Sequence, residues 1–118
     1  MDINRWTGIG RIISDPKLIG GSGSPNRVVL FTISNRRGLK GREFTNYFNC
    51  VAFSTLADLI YNNCVKGDRI GIDGEWRQKE FVDKKTGVTK EGLEIIAWSV
   101  QFLTKKPFQK EKQEDFFD

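Results

Sequence analysis

Two stretches of the sequence place aromatic residues beside basic ones, a combination that can bind unpaired nucleic acid. The first stretch runs from Arg42 to Phe53 and the second from Trp76 to Phe81. Unpaired bases can stack on any aromatic side chain, and each stacked base contributes about 1–3 kcal/mol without its sequence being read. Lys and Arg beside those rings can pair with phosphates. The chemistry that these residues favour is therefore binding.

The same aromatic residues could instead fill a protein core, and strand alternation helps to separate the two roles. Tyr47 and Phe48 are adjacent, so in a strand they point to opposite sides. We expect Tyr47 to face outward and Phe48 to face inward or toward a subunit interface. Phe81 falls in a predicted hairpin, where no core needs an aromatic ring, which favours binding. Trp76 continues the pattern in which every second residue of its strand faces the core, and it is expected in the core. Trp6 and Trp98 are expected in the core or in an interface.

The composition argues against an enzyme. The chain has no histidine, which excludes Ser-His-Asp and Cys-His nucleophiles and every metal site that needs imidazole. Cys50 and Cys64 cannot form a four-thiolate zinc site, and we expect both to be small buried residues. The segment 8–10 (GIG) lacks the third glycine of a dinucleotide fingerprint. The acidic residues show no cluster typical of a nuclease, so no cofactor or metal is expected.

The distribution of charge favours a polyanionic partner. Nineteen Lys and Arg against fifteen Asp and Glu give a net charge of +4 and a pI near 9.2. Between Pro16 and Arg42 there are six basic residues and no acidic one, whereas the last five residues carry three acids. No stretch approaches the ~20 apolar residues of a membrane span, and the N-terminus lacks the form of a signal peptide. We therefore expect a cytoplasmic protein without a membrane partner.

Five segments rich in apolar, β-branched and aromatic residues are predicted to be strands. Glycines inside the first segment indicate a bend in that strand. The predicted strands are Ile3–Ser14, Arg27–Ser34, Phe44–Phe53, Arg69–Val82 and Gly92–Leu103. A turn within residues 83–91 joins the last two into a hairpin.

One helix is predicted between the third and fourth strands. Leu56, Leu59 and Ile60 recur at helical spacing and give the helix a single apolar face. Thr55 is expected to cap its start, with Asp58 three residues later completing a capping box.

The order of these elements predicts an all-β fold, a five-stranded Greek-key barrel of the OB type with one helix between strands 3 and 4. A sandwich would normally need more strands, and an α/β fold would need more helices. We assign the domain to residues 1–103. Residues 104–118 are polar, with little to bury, and are predicted to be a short, disordered C-terminal tail.

A succession of short motifs resembles the bacterial and phage single-stranded DNA-binding proteins. The matching segments are 4–12 (NRWTGIGRI), 15–16 (DP), 53–57 (FSTLA), 65–68 (VKGD), 72–77 (IDGEWR) and the hairpin 81–87. The resemblance covers about residues 3 to 103, in the family's order and spacing. It implies an OB domain that forms a homo-oligomer, usually a tetramer, and has no catalytic residues. Such a protein coats single-stranded DNA, without strong sequence preference, during replication, recombination and repair.

Matched position by position, the family's stacking aromatics fall on Tyr47, Phe53 and Phe81. A further stacking aromatic of the family falls on or near Arg37, where this sequence has two arginines, and an arginine plane can also stack on a base. Other basic residues flank the connections that would overhang the groove. The complete set predicted to contact single-stranded DNA is Tyr47, Phe53, Phe81, Arg36, Arg37, Lys40, Arg42, Arg77, Lys79, Lys84 and Lys85.

The C-terminal end is similar to the acidic, apolar tip with which family members dock replication and repair proteins. The residues that would dock such partners are Asp115, Phe116, Phe117 and Asp118. This tip lacks a proline, ends on an acid and follows a short linker. A merely solubilising end, or a tip that competes with DNA for the basic groove, is therefore an alternative.

Two other functions fit the same fold. An OB protein-interaction module, such as a primosome-type adaptor, would use Tyr47 and Phe81 as interface anchors, and substituting both with alanine would spare DNA binding. An RNA-preferring OB protein is the second alternative, because no residue of the sequence reports on the 2′-hydroxyl.

Overall fold

The computed structural model describes residues 2–20 and 24–104, which form six strands and one helix. The strands are β1 (Trp6–Ile12), β2 (Lys17–Ile19), β3 (Val28–Arg37), β4 (Phe44–Phe53), β5 (Arg69–Val82) and β6 (Thr89–Phe102), and the helix is α1 (Ser54–Asn63). Five strands and the helix coincide with predicted segments. The short β2 was not predicted, because three residues are too few to show a period.

Five of the strands pair in a closed ring, which makes a small barrel. The order around the ring is β1-β5-β6-β4-β3, and β3 returns to β1 through the pairs Arg11–Ser34 and Ile12–Ile33. The β4–β6 pairing is parallel, and the other pairings of the ring are antiparallel. With the helix between β4 and β5, this topology confirms the predicted all-β fold of the OB type.

Alternation along the strands determines which side chains enter the core. On β3, Val29, Phe31 and Ile33 are buried, while the residues between them are only partly buried. The helix adds Ala57 and Ile60 to the same cluster. Because burial of these apolar side chains stabilises the barrel, it also fixes which side of each strand faces solvent.

Gly74 allows β5 and β6 to approach each other closely where their register shifts. The shift lies between Asp73 and Gly74. A Cβ atom on Gly74 would lie 1.9 Å from the carbonyl oxygen of Ile96, which is far inside a van der Waals contact. This position of the barrel therefore requires glycine.

Beyond this bulge, the β5–β6 hairpin projects from the barrel, which corrects the predicted position of Trp76. β1 pairs with β5 only as far as Gly74, so from Glu75 onward β5 pairs with β6 alone. Trp76 is consequently 43% exposed, and its predicted place in the core is wrong. Trp98 is also exposed, and its indole nitrogen donates to Glu75 Oε1 at 3.2 Å. An interface role for Trp98 stays a prediction.

The start of α1 differs from the prediction as well. The helix begins at Ser54, one residue before Thr55, and Phe53 precedes it in an extended conformation without a side-chain cap. Asp58 forms no capping box, because its carboxylate accepts a hydrogen bond from Arg27 Nε at 2.7 Å and pairs with Arg27 Nη2 at 2.6 Å. This contact raises the pKa of Arg27 and ties the helix to the start of β3.

Cys50 and Cys64 are both buried, as predicted. Cys50 lies on the inward side of β4 and belongs to the core cluster together with Cys64. Burial, assisted by the charge of Glu94, raises the pKa of the Cys50 thiol to about 12. The thiol therefore stays protonated and unreactive at neutral pH.

Candidate nucleic-acid interface

Outward-facing side chains of four adjacent strands form one continuous surface. The register aligns Thr32 on β3, Asn49 on β4, Glu94 on β6 and Arg77 on β5 in a single row. Thr32 Oγ1 donates a hydrogen bond to Asn49 Oδ1 at 2.9 Å, which links the first two strands of the row. Beside the row lies a concave region of about 490 Å³. We name this surface the stacking face and define it by Thr32, Tyr47, Asn49, Phe53, Arg77, Lys79, Phe81, Gly92 and Glu94.

Three exposed aromatic rings lie on the stacking face. Tyr47 is 64% exposed, Phe81 50% and Phe53 42%. By strand alternation, Tyr47 and Phe53 project from the same side of β4, roughly 20 Å apart along the strand. Phe81 borders the concave region together with Asn49, which lies between the other two on β4. The three residues predicted to stack on bases are therefore presented to solvent on one surface.

Phe81 rests on a glycine of the neighbouring strand. In the β5–β6 register, Gly92 lies opposite Lys79, one pleat away from Phe81 on the same side. A Cβ atom on Gly92 would lie 2.4 Å from Cε1 of Phe81, so the ring occupies the space that a larger side chain would need. The glycine thus supports one side of the ring, and half of the residue stays open to solvent.

Tyr47 and Phe48 point to opposite sides of β4, which confirms that part of the prediction. Phe48 packs against the core and meets Trp6 edge-on, with ring centroids 5.1 Å apart. Trp6 thereby takes the core position that was one of its two predicted places. Tyr47 lies opposite Ser34 of β3 and faces outward.

Six of the predicted basic residues are exposed at two rims of the stacking face. Arg36 and Arg37 end β3, and the β3–β4 and β5–β6 connections carry the others. Among the ion pairs of the described residues, none involves any of the six. Their charges are therefore available to an incoming phosphate. The six are Arg36, Arg37, Lys40, Arg42, Lys84 and Lys85.

Arg77 and Lys79 differ from the six because both are held by one carboxylate. Arg77 donates to Glu94 Oε1 from Nε at 2.9 Å and from Nη2 at 2.6 Å, and Lys79 Nζ donates to Oε2 at 3.1 Å. The Glu94 side chain is only 7% exposed, whereas the two cations are about half exposed. A buried carboxylate is tolerated when it is paired in this way. The cluster of three has a net charge of +1 rather than +2.

Thr32, Asn49 and Glu94 were not predicted from the sequence, although all three lie at the centre of the stacking face. Asn49 could have been inferred from Tyr47, since residues two positions apart share a face of a strand. Thr32 and Glu94 depend on the pairing of distant strands, a register that a single sequence does not contain.

The predicted partner-docking tip, from Asp115 to Asp118, lies outside the described residues. Within residues 2–20 and 24–104, no helix is long and apolar enough to cross a membrane. The same residues contain no group of three or more acidic or cysteine side chains that could hold a metal ion.

Comparison with known proteins identifies relatives of this chain. It is 32% identical over 109 residues to single-stranded DNA-binding protein 2 of Staphylococcus aureus (strain COL), which covers 88% of this chain and 76% of the relative. It is also 32% identical over 112 residues to the single-stranded DNA-binding protein of Oceanobacillus iheyensis. This alignment covers 91% of this chain and 67% of that relative. Both relatives are bacterial.

A solved structure shares the fold. The Plasmodium falciparum SSB, in complex with ssDNA, superimposes with a TM-score of 0.76 at 20% identity and covers 88% of this chain and 97% of its own. The family whose sequence pattern matches residues 3–103 is described as the Single-strand binding protein family. This match spans every strand and the helix, and it confirms the resemblance seen in the motifs. The chain belongs to the Single-strand binding protein family.

Proposed function

We propose that this protein binds and coats single-stranded DNA without sequence preference during replication, recombination and repair, and that it is not an enzyme. The observation that carries the proposal is the stacking face, where three exposed aromatic rings lie on a rigid sheet between two rims of unpaired cations. The names of the bacterial relatives support the same activity.

The stacking face can act without reading base edges. Every base has a flat face that can stack on Tyr47, Phe53 or Phe81, so the contribution of each ring is independent of sequence. The strands hold the rings in fixed positions, which lowers the entropic cost of ordering the site. Phosphates between successive bases would contact the exposed cations of the two rims, and counterion release would make the affinity dependent on salt.

A fluorescence titration tests the proposal. The full chain is titrated with oligo-dT, oligo-rU and a matched DNA duplex at several salt concentrations, with tryptophan emission as the signal. We expect tight binding of dT, weak binding of duplex, and a log–log salt slope of about −0.7 per phosphate neutralised. Preference for rU would instead support an RNA-binding protein. The absence of dT binding even at low salt would support a protein-interaction module.

A pair of double variants assigns the binding surface. Tyr47→Ala with Phe81→Ala should weaken dT binding by about 30-fold or more, because each lost ring costs at least about 1 kcal/mol. The matched control is Phe44→Ala with Tyr61→Ala, which removes one exposed Phe and one exposed Tyr outside the stacking face. Equal losses in the two double variants would contradict the assignment.

A further inference from the structure

The concave region beside the stacking face is large enough to enclose part of a ligand. Its volume of about 490 Å³ lies within the usual range for small-ligand sites. It extends from Ser14, after β1, across β3 and β4 to Phe81 of the β5–β6 hairpin. Leu30 and Leu93 contribute apolar lining, and side chains of the stacking face add a few polar groups. A region with this composition can take a flat, partly polar ligand.

The charges that line this region balance, which favours a neutral base over a phosphate. Asp15 and Glu94 are acidic, whereas Lys17 and Lys79 are basic. A phosphate would therefore gain little net attraction in the region, whereas the rims of the stacking face offer cations outside the described ion pairs. A bound strand is then expected to place its phosphates at the rims and a base in the concave region.

The side-chain amide of Asn49 lines the concave region with its donor groups open to a ligand. Thr32 Oγ1 donates to Asn49 Oδ1 at 2.9 Å, which turns the carbonyl oxygen of the amide toward β3. This bond engages neither N–H group of Nδ2, which lies on the side away from Thr32. Glu94, the neighbour of Asn49 on that side, already accepts hydrogen bonds at both carboxylate oxygens from Arg77 and Lys79. Nδ2 can therefore donate to a ligand.

Phe81 and Asn49 are placed to contact the same base. The ring of Phe81 covers Gly92, which precedes Glu94, the partner of Asn49, by two residues on β6. Two residues of a strand span roughly 7 Å. A base that stacks on Phe81 from the side of the concave region would therefore extend its far edge toward Asn49.

We propose that the concave region holds one base of the bound strand, stacked on Phe81, and that Asn49 Nδ2 donates a hydrogen bond to its exocyclic oxygen. The edge farthest from the sugar enters first, and this edge carries an oxygen in thymine (O4) and guanine (O6) but an amino group in cytosine and adenine. An amino group facing Nδ2 would bring two donors together. The inference rests on the proposed function and adds a preference for keto bases at one position, on a surface whose rings select no base.

Oligo-dT and oligo-dC of equal length test the role of Asn49. The ratio of Kd for dC to Kd for dT is measured for the full chain, for Asn49→Ala and for Asn46→Ala. The last variant is the control, because Asn46 is an exposed asparagine on the opposite side of β4. Asn49→Ala should lower the ratio by about 2- to 10-fold, the range for one neutral hydrogen bond, chiefly by weakening dT binding.

The outcomes separate this inference from the proposed function. A ratio that is equal in the wild type and in Asn49→Ala, with dT still tightly bound, would overturn the base contact and leave the proposed function in place. A wild-type chain that binds no dT would contradict both. An equal fall of the ratio in Asn46→Ala would also overturn the contact, because Asn46 does not line the concave region.

Thr32→Val tests Thr32 as the residue that positions the amide. The valine keeps the shape of the side chain but removes the hydroxyl, so Asn49 Oδ1 is released and the amide can turn to accept from an amino group. We expect the ratio to fall because dC binding strengthens, whereas a merely structural loss would weaken dC and dT binding together. A ratio that does not change would overturn this positioning role.

Oligo-dI and oligo-dA test whether the exocyclic oxygen itself is recognised. The base of dI is a purine with a carbonyl oxygen where adenine has its amino group, so the two oligomers differ at the contacted position. Self-stacking of the free oligomers affects every protein alike and cancels when variants are compared. The preference for dI over dA should fall in Asn49→Ala by the same 2- to 10-fold range as the preference for dT over dC. An unchanged preference would overturn the proposal.

Discussion

At the scale of single residues, Glu94 determines how much positive charge the stacking face offers. Its buried carboxylate accepts hydrogen bonds from both Arg77 and Lys79. A phosphate that approaches either cation must therefore compete with a carboxylate that is already in contact. This makes Glu94 a positioning residue, which holds the two long side chains along the sheet beside the aromatic rings.

We predict that Glu94→Gln strengthens dT binding at low salt and steepens the salt slope by about 0.7, the value for one additional phosphate. The neutral amide keeps the shape of the side chain but cancels one unit of opposing charge beneath the two cations. Salt-dependent titrations measure this slope. The control is Glu91→Gln, an exposed carboxylate of the same hairpin that lies opposite Glu80 and outside the Glu94 cluster. An unchanged or flatter slope in Glu94→Gln would contradict the prediction.

Cys50 predicts a dependence of stability on pH. Its folded pKa of about 12 lies above the ordinary thiol value of about 8.5. The associated stability is thus fully present below about pH 8.5 and is lost as the pH rises through about 12. Between pH 8.5 and pH 10 the loss is about 2 kcal/mol, at about 1.4 kcal/mol per pH unit.

Urea unfolding of the wild type and of Cys50→Ala at these two pH values measures that loss. The alanine variant is less stable at pH 8.5 because a buried group has been removed, and the difference in free energy of unfolding should narrow toward pH 10. Other groups titrate equally in both proteins and cancel in the comparison. A difference that is constant with pH would show that the Cys50 thiol ionises alike in the folded and unfolded chains.

At the scale of elements, the bulge between β5 and β6 depends on Gly74. We predict that Gly74→Ala destabilises the protein by about 3 kcal/mol or more, the upper end of the usual range for overpacking, because the new methyl group meets backbone that cannot move aside. Urea unfolding gives the value. Gly71→Ala on the same strand is the control. Its Cβ atom would have ordinary contacts, the nearest at 3.7 Å, so this substitution should lower the free energy of unfolding by less than about 1 kcal/mol. Similar losses for both alanines would exclude the steric explanation.

Most of the barrel could be predicted because period-two alternation is strong on β3 and on the first half of β5. The prediction for Trp76 was wrong because alternation shows which side of a strand a residue takes, but not whether a neighbouring strand covers it. Similarly, Asp58 has the right spacing for a capping box but pairs with Arg27, which is distant in sequence.

At the scale of the whole molecule, one exposed apolar patch lies apart from the stacking face. Ile9 on β1 and Leu103 after β6 are both exposed and flank Gly71 of β5. A Cβ atom on Gly71 would be 3.7 Å from Ile9 Cγ1 and 3.8 Å from Leu103 Cδ1, so both side chains border the space above the glycine. The family resemblance predicts a homotetramer, and these two neighbouring apolar side chains are our candidate for a subunit contact, because large apolar surfaces left exposed in a monomer mark such contacts.

We therefore predict that the full chain sediments as a tetramer and that Ile9→Glu shifts it toward smaller species, because a charge placed in an apolar contact loses its hydration on assembly. Analytical ultracentrifugation at several protein concentrations measures the mass. Ile19→Glu is a close control, since Ile9 and Ile19 are each 46% exposed but Ile19 lies on β2, away from the patch. Dissociation by both variants would indicate a general effect of charge, and dissociation by Ile19→Glu alone would move the subunit contact to β2.

The stacking face does not include Ile9, so dissociated Ile9→Glu subunits should still bind short oligo-dT. Loss of that binding would mean that the stacking face is completed by a second subunit.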